Sequence, residues 1–255
     1  SKYYFYKKKP KTNMTGEIDV YPMTAQDEII LKNPDSLLSG DAIEKVVQSC
    51  APSLQNVREL LQPDVEALLL AIRAVSYGDM MEVTAVCPEC GHENRFEINI
   101  RQALEEMEYL DEKYEIQVGE HLTIELKPYD YEATTKASLM AFQEARALEG
   151  SYDPNLSEEQ KQKQFQEAFR KLSRMNMDLL VKSIHKVRTP EAVVENEEWL
   201  REWVEQTDRK AISQIEEKVN EINKIGANGK TNVTCQSCGH KWETEVNYDP
   251  ANFFG

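Results

Sequence analysis

Residues 85–100 read AVCPECGHENRFEINI and residues 233–247 read VTCQSCGHKWETEVN. Placed on their cysteines, both run C-x-x-C-G-H and then alternate, with Phe96, Ile98 and Ile100 in the first stretch and Trp242, Thr244 and Val246 in the second. Period-two alternation on both sides of a tight turn predicts a β-hairpin with its cysteines at the tip. Gly91 and Gly239 directly follow each second cysteine and supply a backbone that can turn through positive φ where the knuckle closes. Two such tips facing each other offer four thiolates, Cys87, Cys90, Cys235 and Cys238, which is the tetrahedral all-sulfur set of a structural zinc (Zn2+). Protein fills all four positions, so no place remains for an activated water.

The spacing is unusual, because 144 residues lie between Cys90 and Cys235, against ~15 to 20 in a compact ribbon. Loop-closure cost rises by only about 0.6 kcal/mol per doubling, so the longer gap adds about 2 kcal/mol. Structural zinc in finger peptides contributes about 10 to 16 kcal/mol, and the metal wins. The competing readings are a redox dithiol and two separate disulfides. A thioredoxin-like pair sits at a helix N-terminus, whereas both pairs here run into Gly and a strand pattern. Disulfides would imply an oxidising compartment, for which the sequence gives no support. His92 and His240 are the alternative ligands; the simpler reading has them flank the knuckles and soften their negative charge. Cys50, in DAIEKVVQSCA, is expected to be a small buried apolar residue.

Outward from the knuckles the chain reads as helices and one further hairpin. Thr24 with Asp27 and Glu28 resembles an N-cap before Ile29, Ile30 and Leu31. Pro63 is expected to start a helix with Val65, Leu68, Leu69, Ile72 and Val75 on its apolar side, closed by Tyr77, Gly78 and Asp79. After a turn-like region from Arg101 to Lys113, EIQV and LTIEL flank Gly119, Glu120 and His121 as a hairpin. Phe165, Phe169, Leu172, Leu180, Ile184 and Val187 keep a helical period, which predicts one helix from Glu158 to Val187. Trp199 and Trp203 fall on one face of a shorter helix. Ile212, Ile215, Val219, Ile222 and Ile225 repeat at three and four residues, a coiled-coil-like seam read as packing within its own segment, with a partner helix as the lesser reading. The expected fold is α+β. An aromatic and basic arm with its lead-in takes 1–23, a helical N-terminal region 24–80, a discontinuous zinc-knuckle β-hairpin unit 81–100 and 230–255, and a largely helical insertion 101–229.

Composition narrows the function. With 40% hydrophobic and 29% charged residues, the 255-residue chain has material for a real core. Its longest apolar run, Ala67 to Ile72, is far short of the ~20 residues that span a bilayer, and SKYYFYKKKP is no secretory signal. No membrane role is expected, and the expected home is a cytoplasm or a particle assembled in one. A net charge of −15 repels a nucleic-acid duplex, and Arg95 and Lys241 near the knuckles are outnumbered by Glu89, Glu93, Glu97, Glu243 and Glu245. A nucleic-acid-binding zinc ribbon is therefore the lesser reading. Lys2, Lys7, Lys8, Lys9 and Lys11 carry +5 on the arm, leaving −20 on the other 244 residues. Beside Tyr3, Tyr4, Phe5 and Tyr6 they read either as a solvated terminus or as an arm laid on an acidic neighbour, including another copy of this chain. The four histidines form no i, i+4 pair, and there is no Gly-rich phosphate loop or nucleophile motif, so no catalytic residue and no enzyme activity is expected.

SKYYFY, then GEIDVYPMTAQDEIILKNPDSLLSGDAIEKVVQSC, then PDVEALLLAIRAVSYGDMMEV leading to CPECG, resembles the baseplate hub protein family of T-even-type contractile-tailed bacteriophages. The closing C-x-x-C followed by DPANFFG fits the family's longer, zinc-bearing members. The likeness is clearest over 1–130 and at the C-terminus, and YPMTAQDE at 21–28 is its most specific piece. A chain opening at Ser1 is what removal of an initiator Met would leave. The resemblance implies a virion component of the tail baseplate, in or near the hub, or a transient hub assembly factor. Its partners would be other tail proteins, and it would assemble in the host bacterial cytoplasm.

Overall fold

The computed structural model of the chain describes residues 2–4, 17–107, 111, 113–150, 157–226 and 229–246. It divides into two compact units, Ser1–Leu110 with Lys224–Gly255, and Asp111–Asn223. Of the arm, β1 (Lys2–Tyr4) pairs antiparallel with β2 (Glu17–Asp19), Tyr3 opposite Ile18. Phe5, Tyr6 and the lysines at 7, 8, 9 and 11 lie outside the described residues.

In the first unit α1 (Ala25–Leu31) starts with the expected cap: Thr24 Oγ1 accepts from the Asp27 N–H and Asp27 Oδ2 accepts from the Thr24 N–H at 2.8 Å. Asn33 caps α2 (Pro34–Leu38), and α3 (Asp41–Cys50) buries Ala42, Ile43, Val46, Val47 and Cys50. A 3-10 turn, Val57–Glu59, leads to α4 (Gln62–Tyr77). The sequence pattern predicts one apolar side for this helix, but it also buries Leu70, Ala71 and Ala74, so it is apolar almost all round and forms the centre of the unit. Leu68, Leu70 and Ile72 are fully buried, each such side chain stabilising by about 1.5 to 3 kcal/mol. Cys50 is buried as well, and burial, with Asp27 nearby, pushes its thiol up to about 12.

Gly78, at φ +94°, turns the chain into β3 (Met80–Val86), which pairs with β4 (Glu93–Asn99) from Met80 opposite Asn99 to Val86 opposite Glu93. Ile100 does not extend that strand, and the region from Arg101 is not simply turn. Asn99 Oδ1 accepts from the Gln102 N–H at 3.1 Å and caps α5 (Ile100–Glu105), whose Ile100 and Leu104 are buried. A polar residue ending the strand alternation is also a good N-cap, and packing against α4 decides between the two.

The second unit opens with the expected hairpin, β5 (Tyr114–Val118) and β6 (Leu122–Leu126), turned at Gly119. After α6 (Tyr131–Gly150) comes α7 (Glu158–Ser183), capped by a Ser157–Gln160 box. The helical period overruns the helix here: α7 stops at Ser183, and β7 (Ile184–Arg188) follows and pairs with β6. Ile124 opposes Val187 and Leu126 opposes Ile184, with His185 bulged out between. The bulge lets two β-branched residues three apart both point inward, which imitates a helical period. A short β8 (Val193–Val194) completes the order β5-β6-β7-β8. On α8 (Glu197–Gln206) the inward stripe is Leu200 and Val204; Trp199 is 65% exposed and Trp203 half-buried. α9 (Arg209–Ile222) buries Ile212, Ile215, Val219 and Ile222 against β5 and α7, so the seam packs inside its own unit, and Ile225 lies beyond the helix end.

Glu125 on β6 is a buried carboxylate that accepts from Arg188 at 2.9 Å, with Lys186 at 3.2 Å and Lys113 at 3.9 Å. Burial raises its pKa, but Lys186 and Arg188 outweigh burial and hold it below the usual range. Its stabilisation is present above the unfolded carboxylate pKa and is lost as pH falls. Glu125→Gln is expected to cost about 1 to 3 kcal/mol at pH 7, read by urea unfolding, and to cost less at pH 4.

The chain returns to the first unit through β9 (Gly229–Thr234) and β10 (Lys241–Val246), paired with Trp242 opposite Val233. Among the described residues no helix is long and apolar enough to cross a membrane.

Candidate metal centre

The turn joining β3 to β4 and the turn joining β9 to β10 are built alike. The Cys87 N–H donates to the His92 carbonyl at 2.9 Å and the Gly91 N–H to the Cys87 carbonyl at 2.9 Å. The Cys235 N–H donates to the His240 carbonyl at 2.8 Å and the Gly239 N–H to the Cys235 carbonyl at 3.0 Å. Gly91 and Gly239 sit at φ +71° and +75°, and a Cβ on either would meet nothing within 4 Å. Backbone conformation, and not space, is the reason for glycine there.

These turns bring the four predicted cysteines together, with every sulfur within 4.8 Å of the others. The closest pairs cross between the knuckles: Cys87 Sγ to Cys238 Sγ at 3.7 Å and Cys90 Sγ to Cys235 Sγ at 3.6 Å. A tetrahedral ion with metal–sulfur bonds of about 2.3 Å needs sulfurs about 3.8 Å apart, whereas a disulfide needs about 2.05 Å. All five cysteines are free thiols. The distances fit a shared ion, and the four residues could hold one. Each knuckle supplies one buried cysteine, Cys87 or Cys235, and one exposed cysteine, Cys90 or Cys238.

Four thiols this close cannot all ionise without a cation among them. Burial pushes Cys235 up, but the N–H groups of Cys238 and Ser237, with the Cys90 and Cys238 thiols, bring it down to about 6. Cys238 is drawn down by the His240 N–H, yet its thiol neighbours Cys90, Cys235 and Cys87, with burial, push it up to about 12. A divalent ion would remove that conflict and release the retained protons.

No histidine nitrogen belongs to the cluster among the described residues. His92 is exposed, and the His240 ring stacks on Trp242 with centroids 6.0 Å apart. One residue of the site is not singled out by the sequence pattern, Asn94. It is 2% exposed, its Oδ1 accepts from the Gln236 N–H at 2.8 Å, and its Nδ2 donates to the His92 carbonyl at 2.9 Å and lies 3.7 Å from Cys235 Sγ. The available signal is its phase, since Asn94 shares the inward face of β4 with Phe96 and Ile98, where an apolar residue is expected.

No curated protein and no solved structure matches the chain. A family model described as T4 bacteriophage base plate protein matches residues 3–255, nearly its whole length. With that match, this acidic α+β chain with its paired cysteine knuckles belongs to the T4 bacteriophage base plate protein family.

Proposed function

We propose that the chain is a structural subunit of the tail baseplate, in or beside the hub, that holds one zinc through Cys87, Cys90, Cys235 and Cys238 and joins neighbouring tail proteins by surface contact without performing chemistry. The observation that carries this reading is a sulfur tetrad whose halves are 144 residues apart in sequence. Four thiolates favour a soft or borderline ion, and a tetrahedral set closed by protein stiffens a fold and leaves no open position for substrate. Within a baseplate family, that is the property of a building block. Exposed aromatics support the contact role: Phe165 and Phe169, one turn apart on α7, are 60% and 65% exposed. The hub placement rests on the resemblance of residues 21–28, and the site of action is the virion tail, assembled in the host cytoplasm.

Elemental analysis of reduced, purified protein is expected to find about one zinc per chain. Quantitative mass spectrometry of purified virions is expected to find the chain at a fixed ratio to other baseplate proteins. Its presence in assembly intermediates and absence from virions would replace the subunit reading with a hub assembly factor.

A further inference from the structure

We propose that Asn94 is the positioning residue of the metal site, latching the second knuckle onto the first and orienting Cys235 for the ion; this rests on the metal reading above. Its amide orientation is fixed by its surroundings. The Gln236 N–H can only donate and the His92 carbonyl can only accept, so the oxygen faces Gln236 and the nitrogen faces His92 and Cys235. One buried side chain on β4 therefore engages backbone in both knuckles and a ligand sulfur of the second, across 142 residues of sequence. Gln236 adds a weaker link, from its Nε2 to the Arg95 carbonyl at 3.4 Å.

The latch works in one direction. Four residues past its second cysteine the second knuckle carries Trp242 where the first carries Asn94, and an indole accepts no hydrogen bond. The knuckle loops differ in the matching way. Pro88, which has no N–H, follows Cys87, whereas Gln236, whose N–H is the one latched, follows Cys235. The first knuckle is thus the template, and the second is docked onto it at the Cys235 end.

Partners that orient metal ligands typically change affinity by 10 to 100-fold when removed. Three full-length variants test the assignment by competition against a zinc-binding dye. Asn94→Ala removes both ends of the latch and is expected to weaken zinc binding about 10 to 100-fold. Asn94→Asp keeps an acceptor for Gln236 but sets an oxygen toward Cys235 and the His92 carbonyl, and is expected to bind more weakly still. Gln236→Pro copies the first knuckle's own loop, deletes the latched N–H together with the weaker Nε2 link to the Arg95 carbonyl, and is expected to weaken binding about tenfold. Amide-exchange protection of α3 and α4 should match wild type in all three, separating a lost latch from a lost fold. Wild-type affinity in Asn94→Ala and Gln236→Pro would overturn the latch while leaving the metal reading standing. Wild-type affinity in Asn94→Asp would overturn the sulfur contact, and a wild-type protein that binds no zinc would overturn the metal reading itself.

Discussion

Replacing Cys235 with serine is expected to abolish stoichiometric metal binding and to loosen both knuckle hairpins without unfolding the α4 core. Cys235 is 3% exposed, pairs across the site with Cys90 at 3.6 Å and receives the Asn94 amide, so serine removes a deeply enclosed sulfur. Each hairpin is a sheet of only two strands, marginal in water when isolated. Partial burial of residues such as Phe96 and Trp242 contributes part of their support, and on the proposed zinc reading the ion supplies the rest, its apparent contribution in small zinc domains being about 10 to 16 kcal/mol. Metal content should fall to near zero. Amide-exchange protection over 80–99 and 229–246 should drop at least a hundredfold, about 2.7 kcal/mol. The β5-β6-β7 strands, which have their own partners, should keep theirs. Unchanged protection of both hairpins in the metal-free variant would show that the ion does not support them.

The second large effect is a gain of stability. Asp64 lies in the first turn of α4, is 7% exposed and has no ion pair among the described residues. A helix N-terminus favours an anion, yet burial dominates and raises this carboxyl from 3.8 to about 6. The folded protein therefore binds the proton more tightly than the unfolded chain. The favourable contribution is complete below about pH 3.8 and is lost as pH rises through about 6. Above that, a charge is held in an apolar site at a cost of about 3 kcal/mol. Asp64→Asn removes the charge but keeps a polar amide, so about 1 to 3 kcal/mol should return at pH 7. In urea unfolding from pH 4 to 8, the advantage of the variant should be near zero at the acid end and fully open above pH 6. An advantage that does not vary with pH would remove the buried charge as its cause.

Features decided within a few residues are legible in the amino-acid order alone. The Thr24–Asp27 cap, the Gly119 hairpin and the two thiol turns each depend on a local pattern whose partner is at most a few positions away. Features that depend on distant partners are not. Ile184 and Val187 satisfy a helix and a bulged strand equally, and only pairing with Ile124 and Leu126 of β6 chooses the strand. Trp199 and Trp203 repeat at the same interval as Leu200 and Val204, so periodicity cannot say which stripe faces inward. Asn94 has the look of an ordinary polar residue of a hairpin, because its reason for being there, Gln236 and Cys235, lies more than 140 residues further along the chain.

That separation also orders events on the ribosome. At about 5 to 20 residues per second, the second thiol pair follows the first out of the exit tunnel by roughly 7 to 30 s. Throughout that interval Cys87 and Cys90 are a dithiol without the second pair, while the whole of Asp111–Asn223 is translated as one continuous piece. All of the intervening unit is thus synthesised before the first unit can close, and on the proposed zinc reading a chain made in a zinc-starved or oxidising host would fail at this last step, after most of its length had been made.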